Sequence, residues 1–300
     1  MLKFQKFLTE EQRFQQLLNE MLIQYNNGAR YGQVVFLAGG GGSGKGFATE
    51  KFIDSSGFKI VNIDDYKVLA IKMAKKFDEW RKKYPDLPNL NLKNPKDVAK
   101  LHKLVKERGW AKNLQSNLVT GYHDPETLPN IMFDKTISEF NDLTKILPDL
   151  IVAGYKPENI HLTWVFTNYR IAAENNANRS RTIPLRILLG AHKDVAETMV
   201  GIMKGGLPKS INGSVQIIFN NPEYTKVYIQ DTQKNLKGET KNRMVIKDFM
   251  YVTVKKSGKA MLSMKEINDE VSRKFGQHGK IRQNLIKMIR TNAPKATKRS

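Results

Sequence analysis

Eight residues leave this chain little freedom in how it folds: Gly39-Gly40-Gly41-Gly42-Ser43-Gly44-Lys45-Gly46. They fit G-x-x-x-x-G-K followed by a small residue. An apolar run, Val34 to Ala38, stands immediately before them, and Phe47 to Ile53 reads as the start of a helix. A buried strand, a glycine loop and a helix in that order form a cradle for phosphate. Glycines let successive backbone N–H groups turn inward, and the helix adds its positive end. Lys45 is then within reach of the β and γ phosphates of a nucleotide. A flexible turn that happens to hold a lysine explains the string but not its setting. One position departs from the pattern. Gly46 stands where a Ser or Thr hydroxyl usually meets Mg²⁺, so the metal would be held by the nucleotide, water and a carboxylate elsewhere.

Around this loop the chain alternates strand and helix patterns. Strand candidates are Phe58 to Ile63, Asn130 to Phe133, His161 to Thr167 and Val215 to Phe219, with helical patterns between most of them. That order predicts an α/β fold, a parallel sheet with helices on both faces. An amphipathic helix is expected from Thr9 to Tyr25, opened by Thr9-x-x-Gln12. Asn94-Pro95 should start another, with Asn as cap and Pro at the first helical position. Beyond Pro222 the texture changes to a meander or hairpin (Lys226–Gln230, Val245–Lys255), a short helix opened by Ser263-x-x-Glu266, and a basic tail over 279–300. The organisation expected is an N-terminal helix (1–30), a core (31–220) with a basic helical insert (67–120), and a small β-rich extension (221–300).

Composition limits the partners. The 300 residues hold 50 Lys+Arg against 29 Asp+Glu, a formal charge of +21, yet 40% are hydrophobic. A folded protein with a cationic surface favours polyanions. Two segments carry most of the excess: residues 72–112 have 13 cations against 5 acids, and 257–300 have 11 against 3. Trp80, Tyr84 and Trp110 lie in the first, where bases can stack on aromatics while lysines track the backbone. Taken singly, each aromatic reads first as a packed side chain beside a snorkelling lysine. Absent cysteines exclude disulfide-linked partners, thiolate metal sites and cysteine nucleophiles. No apolar run is long enough for a membrane span. The expectation is a soluble cytoplasmic protein, in the host cytoplasm if viral.

Phosphoryl transfer needs a base, charge neutralisation and arginines, and each has a candidate. Asp64 and Asp65 end the second strand, where open α/β sheets bind ligands. One is expected to be the base, Asp65 ahead of Asp64, with Asp64 in support or on Mg²⁺; the alternative is a pair of turn or cap aspartates. Asp134 ends the third strand, placed for an acceptor or a metal, or else as the cap of a helix over Ile137–Leu147. Arg179 and Arg181, at i and i+2 before Pro184, suit a lid over phosphates; a solvated basic loop is the bland alternative. Of the five histidines only His192, after the lid, lies near these parts.

The order of these parts resembles the zeta-toxin-like P-loop kinases. It runs from the phosphate loop through Ile63-Asp64-Asp65, a helical insert and Phe133-Asp134-Lys135-Thr136 to Gly154-Tyr155, Arg181-x-x-Pro184 and His192. The likeness covers about residues 34–200. It implies a kinase-type P-loop fold that transfers the γ-phosphate of ATP to a hydroxyl, in known members often on a UDP-amino sugar. By resemblance residues 39–46, Phe47, Arg179 and Arg181 hold the nucleotide. Lys45 binds phosphates, an aspartate of the 64/65 pair is the base, and Asp134 and Thr136 face the acceptor. Two positions differ: the family's acidic residue and glycine before the threonine are Asp134 and Lys135, and its two aspartates are usually separated by one residue. A bacteriophage branch of these kinases phosphorylates hydroxymethylated pyrimidines in DNA, and the charge of this chain fits a DNA or nucleotide acceptor. The competing readings are a DNA-stimulated ATPase with Asp134 on the metal, a sugar-nucleotide kinase, and a non-catalytic basic nucleic-acid-binding protein.

Overall fold

The computed structural model describes residues 22–25, 30–110, 113, 116–117, 119, 124, 127–179, 181–222, 226–234, 240–248, 250–276 and 284–294. Its centre is a six-stranded sheet in the order β2-β3-β1-β4-β5-β8. The strands are β1 (Val34–Ala38), β2 (Phe58–Asn62), β3 (Asn130–Asp134), β4 (Ile160–Phe166), β5 (Val215–Phe219) and β8 (Met250–Lys255). The first five are mutually parallel, and β8 runs antiparallel along β5. β1, β4 and β5 are buried at every position and mostly apolar, with His161, Thr163 and Gln216 the polar exceptions, as suits strands covered on both faces. β6 (Lys226–Lys234) and β7 (Thr240–Asp248) form a separate hairpin.

The helices are α1 (Lys45–Lys51), α2 (Ile63–Lys76), α3 (Asp78–Lys83), α4 (Pro95–Glu107), α5 (Asn141–Thr144), α6 (Leu147–Val152), α7 (Tyr169–Ala177), α8 (Leu185–Gly201), α9 (Met264–Gly276) and α10 (Leu285–Asn292). The sheet and its helices are the kinase-type P-loop architecture. Because β1 lies between β3 and β4, the chain leaves it toward opposite sides, and the crevice at its carboxyl end holds the glycine loop.

Local signals held where capping chemistry was explicit. Asn94 Oδ1 accepts from Lys96 N at 3.0 Å, and Ser263 and Glu266 exchange bonds at the start of α9. Three expectations change. The helix expected over Ile137–Leu147 is replaced by coil through Ser138 and the short α5 and α6, so Asp134 caps nothing. The second strand stops at Asn62, whose Oδ1 accepts from Asp64 N at 2.8 Å; Asp64 and Asp65 therefore lie in the first turn of α2. The tail contains α10, which buries Leu285, Met288 and Ile289 in the main core. The helix expected from Thr9 lies outside the described residues except at 22–25. There Ile23 bridges Ile53, and the buried Tyr25 hydroxyl meets Thr163. Among the described residues no helix is long and apolar enough to cross a membrane.

Candidate active site

The loop between β1 and α1 is held open by its own carbonyls. Gly39 O accepts from Lys45 Nζ at 2.7 Å, and Gly40 O from Ser43 N at 3.2 Å. His192 Nε2 donates to Gly41 O at 2.8 Å, and Asn175 Nδ2 to Gly42 O at 3.1 Å. Ser43 O takes both Thr167 Oγ1 at 2.7 Å and Asn220 Nδ2 at 2.9 Å, while Gly44 O takes Ala48 N at 2.8 Å. All six carbonyls are committed. Among the described residues the N–H groups of Gly40, Gly41, Gly42 and Gly44 have no acceptor. A backbone so arranged presents donors only, which is what an anion needs.

Glycine is required for two separate reasons at Gly42 and Gly44. Their φ values are 74° and 82°, in the left-handed region. A Cβ would also lie 2.1 Å from the Ala172 carbonyl oxygen or 2.1 Å from Asn220 Nδ2, respectively. Gly46 is different, since a Cβ there meets nothing within 4 Å.

Lys45 folds back onto the loop, and its Nζ lies 3.5 Å from Asp134 Oδ1. Asp134 also accepts from Asn62 Nδ2 at 2.9 Å. Burial pushes the Asp134 carboxyl up against the pull of Lys45, and the charges of Asp64 and Asp65 push the same way. Thr136 meets the loop through its backbone, its carbonyl accepting from Gly39 N at 3.3 Å.

Asp64 and Asp65 have separate surroundings. Asp64 receives Arg181 Nη2 on one oxygen and Lys67 Nζ, at 3.0 Å, on the other. Burial works to raise its pKa, but the Arg181 hydrogen bond and the Lys67 and Arg181 charges outweigh burial and hold it well below the usual carboxylate range. Asp65 is exposed. The two arginines also part company. Arg181 is buried, and its Nη1 has no hydrogen-bond partner among the described residues, whereas Arg179 is exposed. Next to Arg181, Thr182 ties this segment to the insert, donating from N to Leu92 O at 3.3 Å and from Oγ1 to Lys93 O at 2.9 Å.

His192 is buried against the loop. Burial keeps its pKa below the ordinary value, and the nearby Lys45 charge adds to this against the Gly41 hydrogen bond. The insert aromatics serve the insert itself. Trp80, Tyr84 and Trp110 contact one another at 5.4 to 5.7 Å between centroids. They belong to a small core with Ala70, Leu87 and Leu101, and are packed rather than free platforms for bases. The twelve described Lys and Arg of residues 72–112 are all exposed. Among the described residues no three His, Asp or Glu converge to hold a metal.

Thr167, Asn175 and Asn220 are the supports that sequence reasoning missed. Each bonds the loop from far along the chain, and nothing in an isolated Thr or Asn signals that. His192 was singled out only for its place after the lid.

The family model described as "Zeta toxin" matches residues 20–233. No curated protein matches the chain. The fold is similar to a structure from the PezAT chromosomal toxin–antitoxin system of Streptococcus pneumoniae, at 14% identity over 69% of this chain and 73% of that one, TM-score 0.41. It is also similar to AvrRxo1-ORF1:AvrRxo1-ORF2 with sulphate ions, at 12% identity over 93% and 81%, TM-score 0.47. The ATP complex of that pair matches at 12% identity over 90% and 78%, TM-score 0.45.

Proposed function

The chain belongs to the zeta toxin family of P-loop kinases, and from that premise we propose that it transfers the γ-phosphate of ATP to a hydroxyl on a nucleotide or a DNA base. The observation that carries the ATP site is the loop itself, with six carbonyls bound and four N–H groups free around Lys45. Nucleotide phosphates would satisfy those donors. Lys45 turns from Gly39 O and Asp134 toward the β and γ phosphates. Arg181, with one guanidinium nitrogen already unpartnered, closes on the transferring group.

Asp65 is the base in this reading, because its carboxylate is exposed while that of Asp64 is occupied by two cations. The acceptor hydroxyl loses its proton to Asp65 and its oxygen bonds to the γ-phosphorus. The bond from that phosphorus to the bridging β-oxygen breaks, and ADP leaves. Asp64 holds Arg181 in place until nucleotide arrives.

Mg²⁺ fits one carboxylate here. Asp134, buried beside Lys45, is better placed to hold it than Asp64, with phosphates and water filling the remaining positions. When bound, it would offset the negative charge of the phosphates during transfer. Open space at Gly46 leaves room for water where other loops have a hydroxyl.

The nucleic-acid side of the proposal rests on charge. The insert carries twelve exposed cations and is tied through Thr182 to the segment bearing Arg181, so a polyanion lying on the insert would be held on the element next to that segment. The test is γ-labelled ATP with a panel of acceptors: hydroxymethylated and plain DNA, free nucleotides and a UDP-amino sugar. Label on DNA or nucleotide supports the reading. Label on the UDP-sugar alone overturns the acceptor, and release of phosphate without a labelled product overturns the kinase.

A further inference from the structure

The match to the family model stops at residue 233, and the chain goes on to add β8, α9 and α10 to the core. α10 is held by apolar burial of Leu285, Met288 and Ile289. Its last residue, Asn292, meets the junction of β4 and α7. Its Oδ1 accepts from Asn168 Nδ2 at 2.7 Å, and its Nδ2 donates to Met288 O at 2.9 Å. With both ends engaged, the amide has one orientation.

Asn168 caps α7, its Oδ1 accepting from Arg170 N at 2.9 Å, and its own N–H donates to Asn221 Oδ1 at 2.8 Å. α7 then reaches the nucleotide loop twice, through Asn175 on Gly42 O and through the Ala172 carbonyl packed against Gly42. Thr167, one residue before the cap, holds Ser43 O. A small cavity at the end of α10 is lined by Thr167, His192, Val195, Asn292 and Ala293, so two direct supports of the loop border the same helix end.

We propose that Asn292 is a positioning residue for the nucleotide loop, acting through the Asn168 cap on α7 to set the Gly42 and Ser43 carbonyls. The C-terminal segment thus completes the site. This rests on the kinase reading for what the loop binds, but not for the loop's geometry. Asn suits the position because one flat amide accepts from Asn168 and donates to the preceding helical turn.

The experiment uses the full chain with Asn292→Ala, Asn292→Asp and, as a control on the exposed face of α10, Lys287→Ala. Two readouts are taken: hydrogen exchange of the hydrogen-bonded Gly39 and Ser43 amides without nucleotide, and steady-state kinetics with ATP. Losing one net hydrogen bond is expected to speed loop exchange and raise KM for ATP about fivefold, with kcat and acceptor KM within about twofold. N292D keeps the accepting oxygen but sets its second oxygen against Met288 O, so it recovers both readouts only in part, and K287A changes neither. Should N292A not fold, Asn292→Ser, too short to reach Asn168, takes its place. Unchanged loop exchange in the folded variant overturns the positioning role. Faster exchange in a protein that never binds ATP upholds it and overturns the kinase reading instead.

Discussion

The pair formed by Asp64 and Arg181 allows a prediction with opposite signs in two measurements. Asp64→Asn removes the negative charge and keeps an oxygen of the same size. Arg181 then stays buried beside Lys67 with no counter-charge. Breaking one side of a buried pair costs about 3–5 kcal/mol. Asp64 is 32% exposed, and the amide still accepts one bond, so about 2 kcal/mol is the expected loss. At about 2.1 cal/mol/K per residue over 300 residues, that lowers Tm by about 3 °C. Nucleotide reverses the order. In the wild type ATP must draw Arg181 away from Asp64, whereas in D64N it meets an unclaimed guanidinium, so saturating ATP should raise the variant's Tm by more than the wild type's. Acid titration supplies the control. The folded pKa of Asp64 lies below its unfolded value, so the pair contributes fully above an unfolded pKa of about 4 and is lost as pH falls below it. D64N should show a shallower acid limb. Thermal melting from pH 3 to pH 8, with and without ATP, reads all three. A variant Tm within about 1 °C of wild type, or an ATP shift no larger than the wild type's, refutes the account.

Alanine at Lys45 should abolish transfer of labelled γ-phosphate while the far-ultraviolet spectrum stays native; a variant that still transfers label sinks the mechanism. Gly42→Ala sets a methyl against the Ala172 carbonyl at a φ of 74°. It should weaken ATP binding at least about tenfold by calorimetry, where Gly46→Ala, with open space, should change affinity by less than about twofold. Gly46→Ser should lower the Mg²⁺ concentration for half-maximal transfer, since its hydroxyl takes a place now left to water. His161 lies between Gln33 Oε1 and Ser214 Oγ, each at 2.9 Å; burial, helped by the Lys255 charge, pushes it down to about 3. Its contribution is therefore full above the unfolded value of about 6.5 and lost as pH falls toward 3. His161→Gln should flatten the melting-temperature profile across that window.

What was legible in the sequence was whatever is encoded within a few residues. The glycine loop carries its own spacing, Val34 to Ala38 its own period, and Asn94-Pro95 its own cap. Asn62 was legible in principle, since it caps the turn bearing Asp64 and Asp65, but the run from Phe58 to Ile63 read as one strand. Ile137 shows the opposite limit. It is buried with φ at 55°, a conformation costly for a β-branched residue, so a sequence that reads as helix was overruled by the turn carrying Thr136 to Gly39. The roles of Asp64 and Arg181 depend on one another across 117 positions, and neither neighbourhood announces the other. Charge told where cations gather. It did not tell that Trp80, Tyr84 and Trp110 are spent on packing the insert.

Two hydrogen bonds from Thr182 join the segment after Arg181 to Leu92 and Lys93. Whatever grips the insert therefore pulls on the segment that carries Arg181, and whatever draws Arg181 toward phosphate pulls on the insert. On the proposed reading, in which the acceptor lies on the insert, acceptor and ATP would be linked ligands, each changing the other's affinity by the same factor. The protein would charge its lid most readily when an acceptor is already in place, and hydrolysis of ATP by water would be slowest when none is.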